Sequence, residues 1–166
     1  MTRKFPDTGP RTAVFAGSFN PFTIGHLSIL KRGLAIFDRI IVLVGRNASK
    51  GNDGNDHDRI EMLRRSLAPL GESVEVRECS GLVAPEAVRL GACSLLRGVR
   101  SVADFEYERN MADINRRVAG IETTLLFAEP ELAAVSSSVV RELASYGLDV
   151  SQFLPSEPLL NETETK

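Results

Sequence analysis

The chain has 166 residues, 43% hydrophobic and 25% charged, with 20 Lys and Arg against 22 Asp and Glu and a formal net charge of −2. That length suits one globular domain, able to bury roughly 70% of its extended surface without a disulfide or metal staple. The charge excludes a protein built to coat nucleic acid. The apolar runs fall far short of the roughly 20 residues of a membrane-spanning helix. Two cysteines (Cys79, Cys93) and two histidines (His26, His57) are too few for a Cys/His zinc site.

From the N-terminus, Met1 to Arg11 is polar, holds two prolines and lacks an apolar segment of signal-peptide length, so it reads as a loose extension. Thr12 to Ala16 reads as a strand. Leu27, Leu30, Leu34 and Phe37 then recur at the spacing of an amphipathic helix. Ile40 to Gly45 is a continuous β-branched strand of the kind covered on both faces. A polar loop, Arg46 to His57, leads to a helix opened by Asp58 with Glu61 three residues on, a capping-box-like start.

Ser73 to Cys79 alternates as strand three, and a short helix follows over Pro85 to Leu90. Ser94 to Leu96 is strand four. The longest helix spans Val102 to Val118 behind Ser101, with Phe105, Met111, Ile114 and Val118 expected inward. Phe105 and Tyr107 read as core rather than base-stacking residues. Thr123 to Phe127 is strand five, and a last helix covers Ser137 to Tyr146. Ser156 to Lys166 reads as a loose tail, leaving residues 12–155 as one domain. Strands alternating with helices predict an α/β fold: a single open, parallel, five-stranded sheet with helices on both faces. A cytoplasmic protein with reduced thiols is expected.

Ligands of such sheets bind outside the carboxyl ends of the strands. Gly17 to His26 follows strand one, Arg46 to Lys50 follows strand two, Arg97 to Arg100 closes strand four, and Val135 to Ser138 follows strand five. These junctions send glycines, hydroxyls, His26, Lys50, Arg97 and Arg100 to one edge, which outlines a phosphate site. Neither G-x-x-x-x-G-K-[ST] nor G-x-G-x-x-G occurs. Each residue also has a plainer reading: Lys50 as a solvated loop lysine, Arg97 and Arg100 as ion-pair partners of Asp104, Glu106 or Glu108, and the serines as a helix cap.

Gly17-Ser18-Phe19-Asn20-Pro21-Phe22-Thr23-Ile24-Gly25-His26 resembles the T-x-G-H signature of the HxGH nucleotidyltransferase superfamily. The stretch Arg97 to Glu108 resembles the long motif of bacterial phosphopantetheine adenylyltransferases, and Val135 to Glu142 resembles their third motif. The resemblance implies a dinucleotide-binding-like fold with strand order 3-2-1-4-5. It implies transfer of AMP from ATP to 4′-phosphopantetheine, giving dephospho-coenzyme A and pyrophosphate, with Mg²⁺ carried mainly by the ATP phosphates. It assigns His26, Lys50 and Arg100 to catalysis, and Ser18, Lys50, Val83, Arg97 and Asn115 to the acceptor substrate. ATP falls to Ser18, Phe19, His26, Gly98, Val99, Arg100, Glu108, Leu132, Ala133, Ala134, Val135, Ser136, Ser137 and Ser138.

By the same resemblance the protein is a homohexamer inhibited by coenzyme A, with no nucleic-acid or membrane partner. Asn20, Ile24 and Gly81 depart from residues common in that family, as does the loop Gly51 to Asp58. Two other readings stand beside this one. An adenylyltransferase for nicotinate or nicotinamide mononucleotide resembles it less, because such relatives carry His where this chain has Thr23. A non-catalytic nucleotide-binding subunit would bind ATP without releasing pyrophosphate.

Overall fold

The computed structural model describes residues 9–45 and 55–156. Strands β1 (Thr12–Gly17), β2 (Arg39–Gly45), β3 (Val74–Cys79), β4 (Ser94–Val99) and β5 (Glu122–Phe127) alternate with helices. The helices are α1 (Ile24–Gly33), α2 (Asn55–Leu67), α3 (Val83–Arg89), α4 (Val102–Ala119) and α5 (Ser137–Ser145). Every neighbouring pair of strands is parallel, in the order β3-β2-β1-β4-β5. The chain winds outward from β1 in one direction and then, after β3, crosses to β4 on the other side. The crevice at this switch point lies between the carboxyl ends of β1 and β4.

Alternate residues of the central strands feed two apolar layers. Phe15, Ile40, Val42 and Leu96 meet Leu27 and Leu30 of α1 and Ile60, Leu63 and Leu67 of α2. Val14, Ile41, Leu43 and Leu95 meet Ala84 and Ala87 of α3 on the opposite face. Burial on both faces explains why β1 and β2 read as unbroken apolar runs. Gly33 lets α1 sit close on the sheet: a Cβ there would lie 2.5 Å from Leu96 Cδ2 and 2.8 Å from Ile40 Cδ1.

The structure corrects several sequence expectations. Helix α1 stops at Gly33, a poor helix residue, so Leu34 caps it and Phe37 packs into the core from the turn beyond. Helix α2 begins at Asn55, which puts Asp58 inside the first turn, where a carboxylate offsets the helix dipole, and not at the cap. Strand β4 continues past Leu96, because Arg97, Gly98 and Val99 pair with Leu125, Leu126 and Phe127 of β5.

The largest correction concerns α4. Phe105, Tyr107, Ile114 and Val118 are 39%, 61%, 49% and 62% exposed, and Glu108 is the one residue of this helix in the buried class. Met111, Ile114 and Val118 line a groove against α3 instead of filling the core.

Candidate active site

Thr23 opens α1. Its hydroxyl accepts the His26 backbone N–H at 3.4 Å, while its own backbone N–H donates to His26 Nδ1 at 3.0 Å, a reciprocal cap. A backbone amide can only donate, so Nδ1 carries a lone pair and the proton of the neutral ring resides on Nε2. Phe15, Phe19 and Phe22 surround the imidazole, with ring centroids 6.3, 5.2 and 5.3 Å away. Burial, then the charges of Arg100 and Arg97, push its pKa down to about 4. At neutral pH His26 is therefore an uncharged donor with a fixed tautomer.

Phe19 takes a left-handed backbone conformation, φ 45°, which strains a residue with a Cβ. Packing against Phe15 at 5.2 Å and Phe22 at 5.4 Å compensates for it. A Cβ on Gly17 would come 3.1 Å from the Phe19 ring, so a side chain there would press on the cage behind His26.

Arg97 projects from β4 into the crevice. Its Nε and Nη2 donate to the two oxygens of Glu108 at 3.0 and 2.7 Å, and Nη1 donates to the Ala16 carbonyl. Arg100 lies one turn before its partner: its Nε donates to Asp104 Oδ2 at 2.9 Å, and its backbone N–H reaches the same oxygen at 3.2 Å. Partial burial raises the Asp104 carboxyl, but the hydrogen bonds and charge of Arg100 outweigh that and hold it below its ordinary value. The ion-pair reading of both arginines is thus correct, and it does not remove them from the site.

Helix α5 opens onto the same edge. Ser136 caps it by accepting the Val139 N–H, Ser137 Oγ donates to the Pro21 carbonyl at 2.8 Å, and Arg141 donates to the Asn20 carbonyl. The segment after β5 therefore clamps the loop after β1.

Two cavities meet at this edge. The first, about 390 Å³, is lined by Ser18, Phe19, His26, Gly98, Arg100, Glu108, Leu132, Val135, Ser136, Ser137 and Ser138, all expected ATP residues. The second, about 420 Å³ and mostly apolar, is lined by Val83, Arg97 and Asn115, expected for the acceptor, together with Leu82, Met111, Ile114 and Val118. Ala16, Gly17, Arg97, Tyr107 and Glu108 belong to both walls.

Three expected ATP residues do not line the first cavity. Val99 is buried with its carbonyl accepting the Ala128 N–H, and Ala133 and Ala134 lie beside the lining residues. Lys50 and the Arg46 to Lys50 junction lie outside the described residues. The sequence reading missed Arg141, the place of Tyr107 in both cavity walls, and Thr23 as the residue that sets the histidine tautomer. Only Thr23 left a signal, its three-residue spacing to His26.

Among the described residues no three His, Cys, Asp or Glu side chains converge on one point. The acids of the first cavity, Asp104 and Glu108, are each engaged by an arginine. The remaining polar lining, His26, Arg97, Arg100 and the α5 serines, consists mainly of hydrogen-bond donors, which suit anionic oxygens.

The model of the cytidylyltransferase-like family matches residues 14–143. A phosphopantetheine adenylyltransferase of Bacteroides thetaiotaomicron is 46% identical over 151 residues, covering 91% of this chain and 99% of that protein. Another, of Porphyromonas gingivalis, is 47% identical over 143 residues, covering 86% of this chain and 93% of that protein. Among solved structures, a bifunctional NMN adenylyltransferase/ADP ribose pyrophosphatase from Francisella tularensis superposes with a TM-score of 0.63 at 17% identity. It covers 89% of this chain and 46% of that one, a likeness of fold.

Proposed function

The chain belongs to the phosphopantetheine adenylyltransferases, within the cytidylyltransferase-like family, and we propose that its reaction centre is the seam between the two cavities. It transfers the adenylyl group of ATP to 4′-phosphopantetheine in coenzyme A biosynthesis, giving dephospho-coenzyme A and pyrophosphate. In our reading ATP occupies the cavity floored by His26 and the α5 serines. The pantetheine arm lies in the apolar cavity along α4, near Val83 and Asn115, and its phosphate reaches Arg97.

The acceptor phosphate has a second pKa of about 6 and is mostly a dianion at neutral pH, so it needs no general base. One of its oxygens forms a bond to the ATP α-phosphorus as the bond to the β-phosphate oxygen breaks, and that electron pair leaves with pyrophosphate. The obstacle is the meeting of two anions. His26 Nε2–H donates to a non-bridging α-phosphate oxygen as charge builds there, and Arg97 and Arg100 offset the charge of nucleophile and polyphosphate. The N-termini of α1 and α5 add backbone amides. Lys50 completes the cation set by resemblance. Mg²⁺ enters with ATP as part of the substrate, and no step is assigned to it.

The observation that carries this reading is the fixed, neutral His26 facing a crevice that two arginines flank. A cytoplasmic homohexamer subject to inhibition by coenzyme A is the setting we propose for it. No helix among the described residues is long and apolar enough to cross a membrane.

The test is pyrophosphate release from ATP and Mg²⁺ with 4′-phosphopantetheine, nicotinate mononucleotide, nicotinamide mononucleotide or glycerol phosphate as acceptor. Release with 4′-phosphopantetheine alone is expected. Release with a mononucleotide, or ATP binding without turnover, overturns the reading.

A further inference from the structure

We infer that Glu108 is a positioning residue, which sets the Arg97 guanidinium for the acceptor phosphate. The inference rests on the proposed placement of that phosphate at Arg97. Among the described residues Glu108 is the only charged side chain in the buried class, 7% exposed. Both of its oxygens face Arg97, at 3.0 and 2.7 Å.

An arginine has five N–H donors in a planar fork. Glu108 takes one from Nε and one from Nη2, and the Ala16 carbonyl takes one from Nη1. Those three anchors lock the plane of the guanidinium. One N–H on each Nη remains to meet phosphate oxygens. The Arg97 side chain is one-third exposed, whereas that of Glu108 is nearly covered, so the arginine faces the open seam and the carboxylate lies behind it.

With both oxygens turned to a cation, Glu108 does its work through that cation. Its place in the wall the two cavities share also sets it beside the ATP cavity.

The experiment is a double-mutant cycle with Glu108→Gln, Arg97→Ala and the pair, reading the Kd of 4′-phosphopantetheine by calorimetry and KM and kcat by pyrophosphate release. Glu108→Gln keeps the shape and loses the charge. It is expected to weaken 4′-phosphopantetheine by about tenfold and to raise its KM more than it lowers kcat. Pantetheine lacking the phosphate should bind both proteins alike. Glu108→Asp, which restores the charge at shorter reach, should recover part of the loss. In the Arg97→Ala background Glu108→Gln should add nothing.

An undiminished effect in the Arg97→Ala background overturns the inference. If Arg97→Ala weakens 4′-phosphopantetheine and Glu108→Gln does not, the positioning role alone fails. If Arg97→Ala leaves that affinity unchanged, the placement of the phosphate fails and the inference with it.

Discussion

Replacing His26 by Ala removes one hydrogen-bond donor from the transition state and one acceptor from the protein, and the two losses separate. The Nε2–H is the only ring nitrogen available to substrate, because Nδ1 is taken by the Thr23 N–H. Loss of one preorganised donor to a developing oxyanion costs about 3–4 kcal/mol, or about 10²–10³ in kcat. On the structural side, the Thr23 N–H loses its partner inside the phenylalanine cage, a cost of about 1–3 kcal/mol in stability. The helix cap itself survives, since the Thr23 hydroxyl still accepts the residue-26 backbone N–H.

The assay is the initial rate of pyrophosphate release with both substrates saturating, on protein shown to be folded by urea titration. The expected variant is folded, somewhat less stable and slower by that factor, with KM for either substrate little changed. A folded His26→Ala protein with kcat within about threefold of the parent would refute the assignment.

Acidification should weaken the fold before the carboxylates titrate. With a folded pKa of about 4 against an ordinary 6.5, His26 leaves the unfolded chain binding more protons in that interval, so stability falls as pH drops through it, by about 3 kcal/mol, measurable by urea midpoints. The lowered carboxyls of Asp38, Asp104, Asp113 and Asp149 act below that range, and that of Glu86 begins to act at its lower end. Activity should decline below pH of about 6 as the acceptor phosphate takes up a proton, so kcat/KM for 4′-phosphopantetheine should follow the pKa of the substrate. Arg100→Met should raise the KM for ATP and, by removing a charge that depresses it, raise the His26 pKa, read by NMR titration. Gly33→Ala should cost about 1–3 kcal/mol of stability in a urea melt with kcat unchanged, because its Cβ would overlap Leu96 and Ile40 behind the sheet.

The scaffold was legible where apolar period and burial coincide. Strand β2, buried on both faces, is legible from its unbroken run, and the Ser101 start of α4 from its cap. Reading failed where the site borrows residues from the scaffold. Arg97 and Gly98 break the apolar pattern of β4 although the ladder continues through them. The apolar stripe of α4 has the periodicity of a core face, yet Met111, Ile114 and Val118 line a cavity against α3.

At the site, the cations and the glycine-rich turn stood out as polar oddities at strand ends. Their connections did not, because the Thr23 amide, the Ala16 carbonyl and the Asn20 carbonyl act through backbone atoms that every residue possesses. The clamp of Arg141 and Ser137 on the β1 loop joins positions more than a hundred residues apart and left no local trace.

The central claim is that a neutral imidazole, with its proton on Nε2, faces the ATP cavity at working pH. The direct test is ¹⁵N NMR of the His26 ring in the free enzyme. The account predicts a lone pair on Nδ1, a proton on Nε2 and no titration between about pH 5.5 and 8, with a midpoint of about 4. A proton on Nδ1, or a midpoint at the ordinary histidine value with a charged ring near neutrality, would contradict it.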